Sequence, residues 1–297
     1  MKKSNHIHTA EDSVIDIINT MIMCMVIAIT VFPFYLIIVK SFNEGVDSNI
    51  GGLLLYPRKF TLDNYITFFS KSEWLYAFKI TLLRTAIGSI SSVLFTCVAA
   101  YGLSREELLF RKLYFRLIII AMYFSGGIIP YYILLRSLGL LNSFAVYIIP
   151  SLLNTFFLMI AVSFFRDYPH EVIESAHIDG ANDLVIFIRI ILPTSLPLIA
   201  AMLLFIGVNQ WNSWVDSAYY VKNSELRTLS YRLREVINQS TASLNSQAVE
   251  YARNATQTTP QSLQMAAIVI STVPIMCVCP FLQKYFIKGM MVGAVKG

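Results

Sequence analysis

Six separate runs of about twenty or more predominantly apolar residues are set along this chain of 297 residues, at 14–39, 76–103, 113–135, 144–165, 193–214 and 264–282. A helix rising 1.5 Å per residue needs about 20 such residues to cross roughly 30 Å of hydrocarbon. None of the runs alternates with period two. In lipid only helices or closed barrels satisfy every backbone amide and carbonyl, so continuous runs of this length predict helices. Composition agrees: 56% apolar, 14% charged and a mean hydropathy of +0.61 exclude an ordinary soluble domain. The predicted fold class is all-α, a polytopic membrane protein with six transmembrane helices.

The polar start MKKSNHIHTAEDS precedes a run too long for a signal-peptide core and without a small-x-small cleavage site, which predicts a retained first helix. An even number of spans puts both termini on one side. Placing them in the cytoplasm gathers eleven Lys and Arg residues inside, counting Arg116 at the inner end of the third run, against ten outside, five of those ten in one long segment where the rule is dilute. Cys24, Cys97, Cys277 and Cys279 all fall within predicted spans, as small apolar residues rather than a disulfide framework or zinc site. The net charge of +5 reads as anchoring to anionic lipid headgroups, not as nucleic-acid binding. The expected organisation is an N-terminal segment at 1–72 carrying the first helix and an outer surface loop, a core at 73–283, and a cytoplasmic tail at 284–297.

Two outer connections are long. Residues 40–75 carry turn signals at Gly51, Gly52 and Pro57 and an interfacial aromatic series of Tyr65, Phe68, Phe69 and Trp74. Residues 215–263 are rich in Ser, Asn, Gln and Thr, and a loop of that length is usually functional or mobile.

The inner connection is the most structured by chemistry. Its sequence from 174 to 193 is ESAHIDGANDLVIFIRIILP. Tyr168 and Pro169 fit a helix start, since proline presets φ and lacks an N–H that would be unpaired there. Glu171 and Glu174 sit early, where the helix dipole favours anions. Gly180 after Asp179 is a helix stop that takes a left-handed conformation without a Cβ penalty. A second short helix is expected from Ala181 to Ile190, ended by Pro193. The unit predicted is helix, glycine turn, helix, lying on the cytoplasmic membrane surface. His170, Glu174 and His177 share one face but do not make the H-E-x-x-H pattern of a zinc helix.

Glu174, Ser175 and Ala176, then Gly180, Ile190, Leu192 and Pro193, resemble the EAA motif of the membrane subunits of bacterial ABC importers, with serine in place of the second residue. The ending Gly293, Ala294, Val295, Lys296, Gly297 is similar to the tail of the maltose-type sugar permeases. The stretch from Ser125 to Tyr131 with Leu138, Gly139 and Leu140 resembles the subgroup importing complex oligosaccharides. The resemblance covers the chain after about residue 73 and implies the type I ABC importer permease fold. It further implies a second homologous permease forming a heterodimer, a cytosolic ATPase dimer and an extracytoplasmic solute-binding protein, in a bacterial cell membrane. In that family the EAA helix docks in the ATPase, so Glu174, Ser175, Ala176, Asp179 and Gly180 are the expected coupling positions, with Gly293, Val295, Lys296 and Gly297 as expected tail contacts. This sequence has no G-x-x-x-x-G-K-[ST] phosphate loop, so no cofactor is expected and ATP belongs to the partner ATPase.

For the translocation path, Arg84 lies deep in the second span, where an ionisable group faces a cavity or a partner, and it is expected to favour anionic sugars. Asn209, Trp211, Asn212 and Trp214 at the outer end of the fifth span combine amides with indoles, suited either to an interfacial belt or to pyranose rings. Thr85, Gly88, Ser89, Ser92, Thr96, Ala99 and Ala100 form a small-residue stripe expected to pack helices closely. Lys79 is expected to snorkel. The leading expectation is a non-enzymatic carbohydrate import permease. An importer of amino acids, peptides or polyamines, and more remotely a membrane enzyme or sensor, are the alternatives.

Overall fold

The computed structural model describes residues 10–50, 52, 55–243 and 258–294. In chain order the helices are α1 (Ala10–Ser41), α2 (Gly45–Ile50), α3 (Asp63–Ser70), α4 (Ser72–Ser104), α5 (Arg111–Tyr123), α6 (Ile128–Ser137), α7 (Ala145–Ile148), α8 (Thr155–Arg166), α9 (His170–Ile178), α10 (Asp183–Ile186), α11 (Leu192–Thr194), α12 (Leu196–Asn212), α13 (Val215–Tyr220), α14 (Leu229–Ser243) and α15 (Pro260–Ala294). Among the described residues the only β feature is a bridge between Asn43 and Phe60.

Val14–Ser41, Ser72–Ser104 and Gln261–Val278 are each long and apolar enough to cross a membrane unbroken. The other three predicted spans are bent pairs, α5 with α6 at 116°, the Ala145–Ser151 segment with α8 at 45°, and the Asp183–Thr194 segment with α12 at 77°. Counting each pair as one span gives the expected six.

The breaks have local causes. The run at 113–135 is not one straight helix, because Gly126 and Gly127, the latter at φ 83°, turn the chain between α5 and α6. The 13 residues of α5 reach only about 20 Å, short of the hydrocarbon thickness. In the fourth span the chain leaves the helix at Leu152, and Asn154 restarts it by accepting from the amides of Phe156 and Phe157 at 3.0 and 3.2 Å. In the fifth, Pro193 does not end the preceding helix as expected. It stands in the first turn of α11, after a π-helical turn at Phe187–Ile191, and the bend comes at Ser195. The sixth helix runs past its expected end and continues to Ala294, so residues 284–294 are helical and include Gly293. Val295, Lys296 and Gly297 lie outside the described residues, as do Lys2 and Lys3.

The chain divides into two compact units, one of residues up to Ser70 with Val236–Ile270, the other of Lys71–Glu235 with the residues from Ser271 onward. In the first unit the apolar side chains of α1 from Val14 to Tyr35 are exposed around the helix, a surface that suits hydrocarbon rather than water. The connection after α1 is a compact knot. Asn64 donates to the carbonyls of Ser41 and Asn43 at 2.9 and 3.0 Å, and Asn43 donates to Asp47 at 2.9 Å. That bond, aided by Arg58 at 3.1 Å, holds the Asp47 carboxyl below its ordinary range. Gly45 lies so close to Thr259 that a Cβ would come within 2.5 Å of its backbone nitrogen.

The second unit has two cores. One joins α4, α8, α9, the π-turn and α12 through Val93, Cys97, Leu158, Phe165, Ile186 and Met202, among others. The other gathers Ile80, Leu135, Val146, Tyr147, Tyr220 and Val221. Between α4 and α12 the predicted small-residue stripe does pack helices: a Cβ on Gly207 would meet Ser89 and Thr85 at 3.9 and 4.0 Å, and one on Gly88 would meet Gln210 at 3.1 Å.

Candidate functional site

The connection around Gly180, expected on the inner side, is built as a capped pair of short helices. Pro169 occupies the N-cap of α9, one position earlier than expected. At its end Gly180 takes φ 81°, with Gly180 N–H donating to His177 O at 2.9 Å and Ala181 N–H to Ala176 O at 3.0 Å. This is the Schellman pattern, which satisfies the last carbonyls of the helix. Asn182 then caps α10 by accepting from Val185 N–H at 2.9 Å.

Of the predicted coupling positions, Glu174, Ser175, Asp179 and Gly180 are exposed and Ala176 is half-buried against the core. The Ser175 hydroxyl is satisfied within the helix, donating to Glu171 O at 2.8 Å, so serine adds no unpaired group at this position. Ile173 is the inward anchor. Ile178 is 81% exposed and Leu184 is 65% exposed, on either side of the glycine turn. Neither was singled out from sequence, where an apolar residue near a helix end reads as core.

The loop is fastened to the end of α4. Arg105, the C-cap of α4, reaches Asp183 Oδ1 at 2.5 Å and also donates to the Tyr101 hydroxyl. His177 Nε2 lies 3.7 Å from the same carboxylate oxygen. Three elements, α4, α9 and α10, therefore meet at Asp183.

At the other end of the unit Arg84 is not left open to a cavity. Its side chain is 3% exposed and is engaged on all sides. It donates to Gln210 Oε1 at 2.7 Å, to Ser213 O at 3.1 Å and to the Asp216 carboxylate, and its guanidinium lies 4.6 Å from the centre of the Tyr147 ring. Gln210 donates in turn to Ser151 at 2.7 Å. The segment after α12 is held by similar bonds: Leu229 N–H to Thr81 Oγ1 at 2.8 Å, Tyr147 Oη to Leu226 O at 2.9 Å, and Lys222 and Asn223 N–H to Asn142 Oδ1. The long outer connection expected at 215–263 is thus fixed to the core over its first part, and 244–257 lie outside the described residues.

The amide and indole group splits. Trp211 is buried, its Nε1 donating to Ser271 O at 3.0 Å and its ring meeting Phe78 edge-on. Asn209 and Asn212 are exposed, and Trp214 is half-buried beneath the Arg234 guanidinium at 4.0 Å. Arg227 and Arg232 each reach Glu235, at 3.6 and 2.8 Å, whereas among the described residues no carboxylate lies within ion-pair distance of Arg234. Lys79 is exposed.

No family model matches the chain. It is 38% identical over 295 residues to "Protein LplC" of Bacillus subtilis, covering 98% of this chain and 99% of that one. It is 36% identical to the polygalacturonan/rhamnogalacturonan transport system permease protein YtcP of the same organism, covering 93% and 96%. Its fold matches, with a TM-score of 0.83 at 24% identity over 95% of this chain and 100% of that one, a subunit of a bacterial ABC transporter that imports the acidic polysaccharide alginate. The second of these is named as a transport system permease and the third as part of an ABC transporter. Bent apolar spans, a capped inner loop and similarity along nearly the whole length converge on one assignment: the chain belongs to the family of membrane permease subunits of carbohydrate ABC importers.

Proposed function

We propose that this chain is one of two homologous permeases of an ATP-driven importer, with both termini cytoplasmic, and that it moves an acidic oligosaccharide inward by alternating access. The observation that carries the mechanical half is the capped helix, glycine turn, helix unit, which presents Glu174, Ser175, Asp179 and Gly180 with the exposed apolar side chains of Ile178 and Leu184. Such a knob, anchored inward by Ile173 and Ala176, suits a cleft on a cytosolic ATPase dimer that holds the ATP. The tail residues Gly293, Val295, Lys296 and Gly297 are further candidates for that contact. On the outer side the ordered segment after α12 suits a solute-binding protein that delivers cargo.

The cargo reading is supported by similarity to a permease named for polygalacturonan and rhamnogalacturonan. Chemistry at the outer end of α12 is compatible with it. Asn209 and Asn212 offer exposed amides, and Arg234, lying over the Trp214 ring and with no carboxylate within ion-pair distance among the described residues, offers a guanidinium. In this reading Arg84 and Trp211 hold the path's shape instead of touching cargo. The test is co-purification with an ATPase followed by uptake of oligogalacturonates and matched neutral oligosaccharides. Retention of the ATPase with preferential uptake of the acidic set is expected. Preferential uptake of neutral sugars or amino acids would overturn the cargo, and failure to retain an ATPase would overturn the coupling.

A further inference from the structure

We propose that Tyr101, Arg105 and Asp183 form the mechanical joint that carries displacement of the inner loop into the second membrane span, a reading that rests on the loop being the ATPase contact. Of the positions so far offered for coupling, Glu174, Ser175, Asp179 and Gly180 face outward, and Ala176 touches the core through apolar contact alone. Arg105 makes a polar connection from the loop to α4. It closes the C-terminal end of the 33-residue helix α4 and holds Asp183, the first residue of α10, at 2.5 Å. His177 from the last turn of α9 stands 3.7 Å from the same oxygen, so both halves of the loop converge on one carboxylate.

Tyr101 makes the joint stiff. Its hydroxyl accepts from Arg105 and lies 3.5 Å from Asp183 Oδ1, while the Arg105 guanidinium lies over its ring at 4.6 Å from the centroid. The same ring is buried on its other sides, 5.1 Å from Phe187 of the π-turn and 6.5 Å from Phe165 of α8. One side chain therefore links the polar cluster to the packed core that also holds Ile173 of α9. A packed core transmits a push because it has low compressibility, and an ion pair fixes which residue receives it. The Asp183 side chain is 68% exposed, so the pair contributes little to stability. Its effect is expected in coupling rather than in folding.

The experiment uses the complete importer reconstituted in proteoliposomes, measuring oligogalacturonate moved and ATP hydrolysed in the same vesicles. Arg105→Gln and Asp183→Asn are expected to retain the ATPase and its hydrolysis while solute moved per ATP falls about fivefold, the low end of ordinary coupling between sites. Tyr101→Phe, which keeps the ring and its packing, is expected to fall less. Arg105→Lys, which keeps a cation able to reach Asp183, is expected to keep more of the ratio than Arg105→Gln, which a merely structural role would not require. Unchanged ratios in the single variants, or Arg105→Lys no better than Arg105→Gln, would overturn the joint. Loss of the ATPase from the unaltered importer would instead overturn the reading of the loop, and the joint with it.

Discussion

Replacing Arg84 by Met tests whether the guanidinium is a fastening or a receptor. The substitution keeps much of the apolar stem and removes three hydrogen-bonded contacts and one ring contact. Gln210 is buried, and its Oε1 loses its partner while its Nε2 keeps Ser151. An orphaned buried acceptor costs about 1–3 kcal/mol. The cation–ring contact adds about 0.5–2 kcal/mol. Asp216 is 31% exposed and keeps Ser213 Oγ at 3.2 Å, so it retains some solvation and only part of the cost of stranding a buried charge applies. Together these give a destabilisation of about 2–6 kcal/mol. Reversible denaturant titration of the detergent-solubilised protein measures it, with Lys79→Met as an exposed control expected to stay within about 0.5 kcal/mol. Gln210→Leu combined with Arg84→Met should cost less than the two changes summed, because the shared bond is removed only once. Uptake of acidic and neutral cargo should fall in the same proportion. A variant of unaltered stability that loses acidic uptake alone would refute this account and restore Arg84 as a cargo residue.

Gly180→Val forces a β-branched residue into φ 81°, where among the described residues nothing lies within 4 Å of a Cβ, so the cost of about 1–3 kcal/mol is conformational. Weaker ATPase retention with normal membrane insertion is the expected readout, and full retention would count against the turn as a docking element. Gly45→Ala places a methyl 2.5 Å from the Thr259 backbone, so faster proteolysis of the connection after α1 is expected, and unchanged cleavage would show that the backbone yields. Arg234→Gln should reduce oligogalacturonate uptake about tenfold relative to a neutral oligosaccharide, the size of one charge-assisted pair. Equal loss for both would remove Arg234 as a carboxylate contact.

Helix content, the number of apolar runs and the inner loop were legible in the sequence because each depends on local chemistry. Twenty apolar residues dictate a helix in lipid whatever surrounds them. The turn at Gly180 needs only a residue without a Cβ penalty and the backbone bonds of its own neighbours. Even the bend between α5 and α6 was written in Gly126 and Gly127, although hydropathy alone joined the two helices into one run. What tertiary structure decided was the partner of each polar group. An arginine in a span looks the same in sequence whether it faces cargo or Gln210 and Asp216, residues 126 and 132 positions away. Arg105 and Asp183 are likewise 78 positions apart, and nothing local marks them as a pair. Periodicity reports which face a residue occupies, but only the packed chain determines what stands opposite it, and for a charge in a membrane protein that neighbour determines its role.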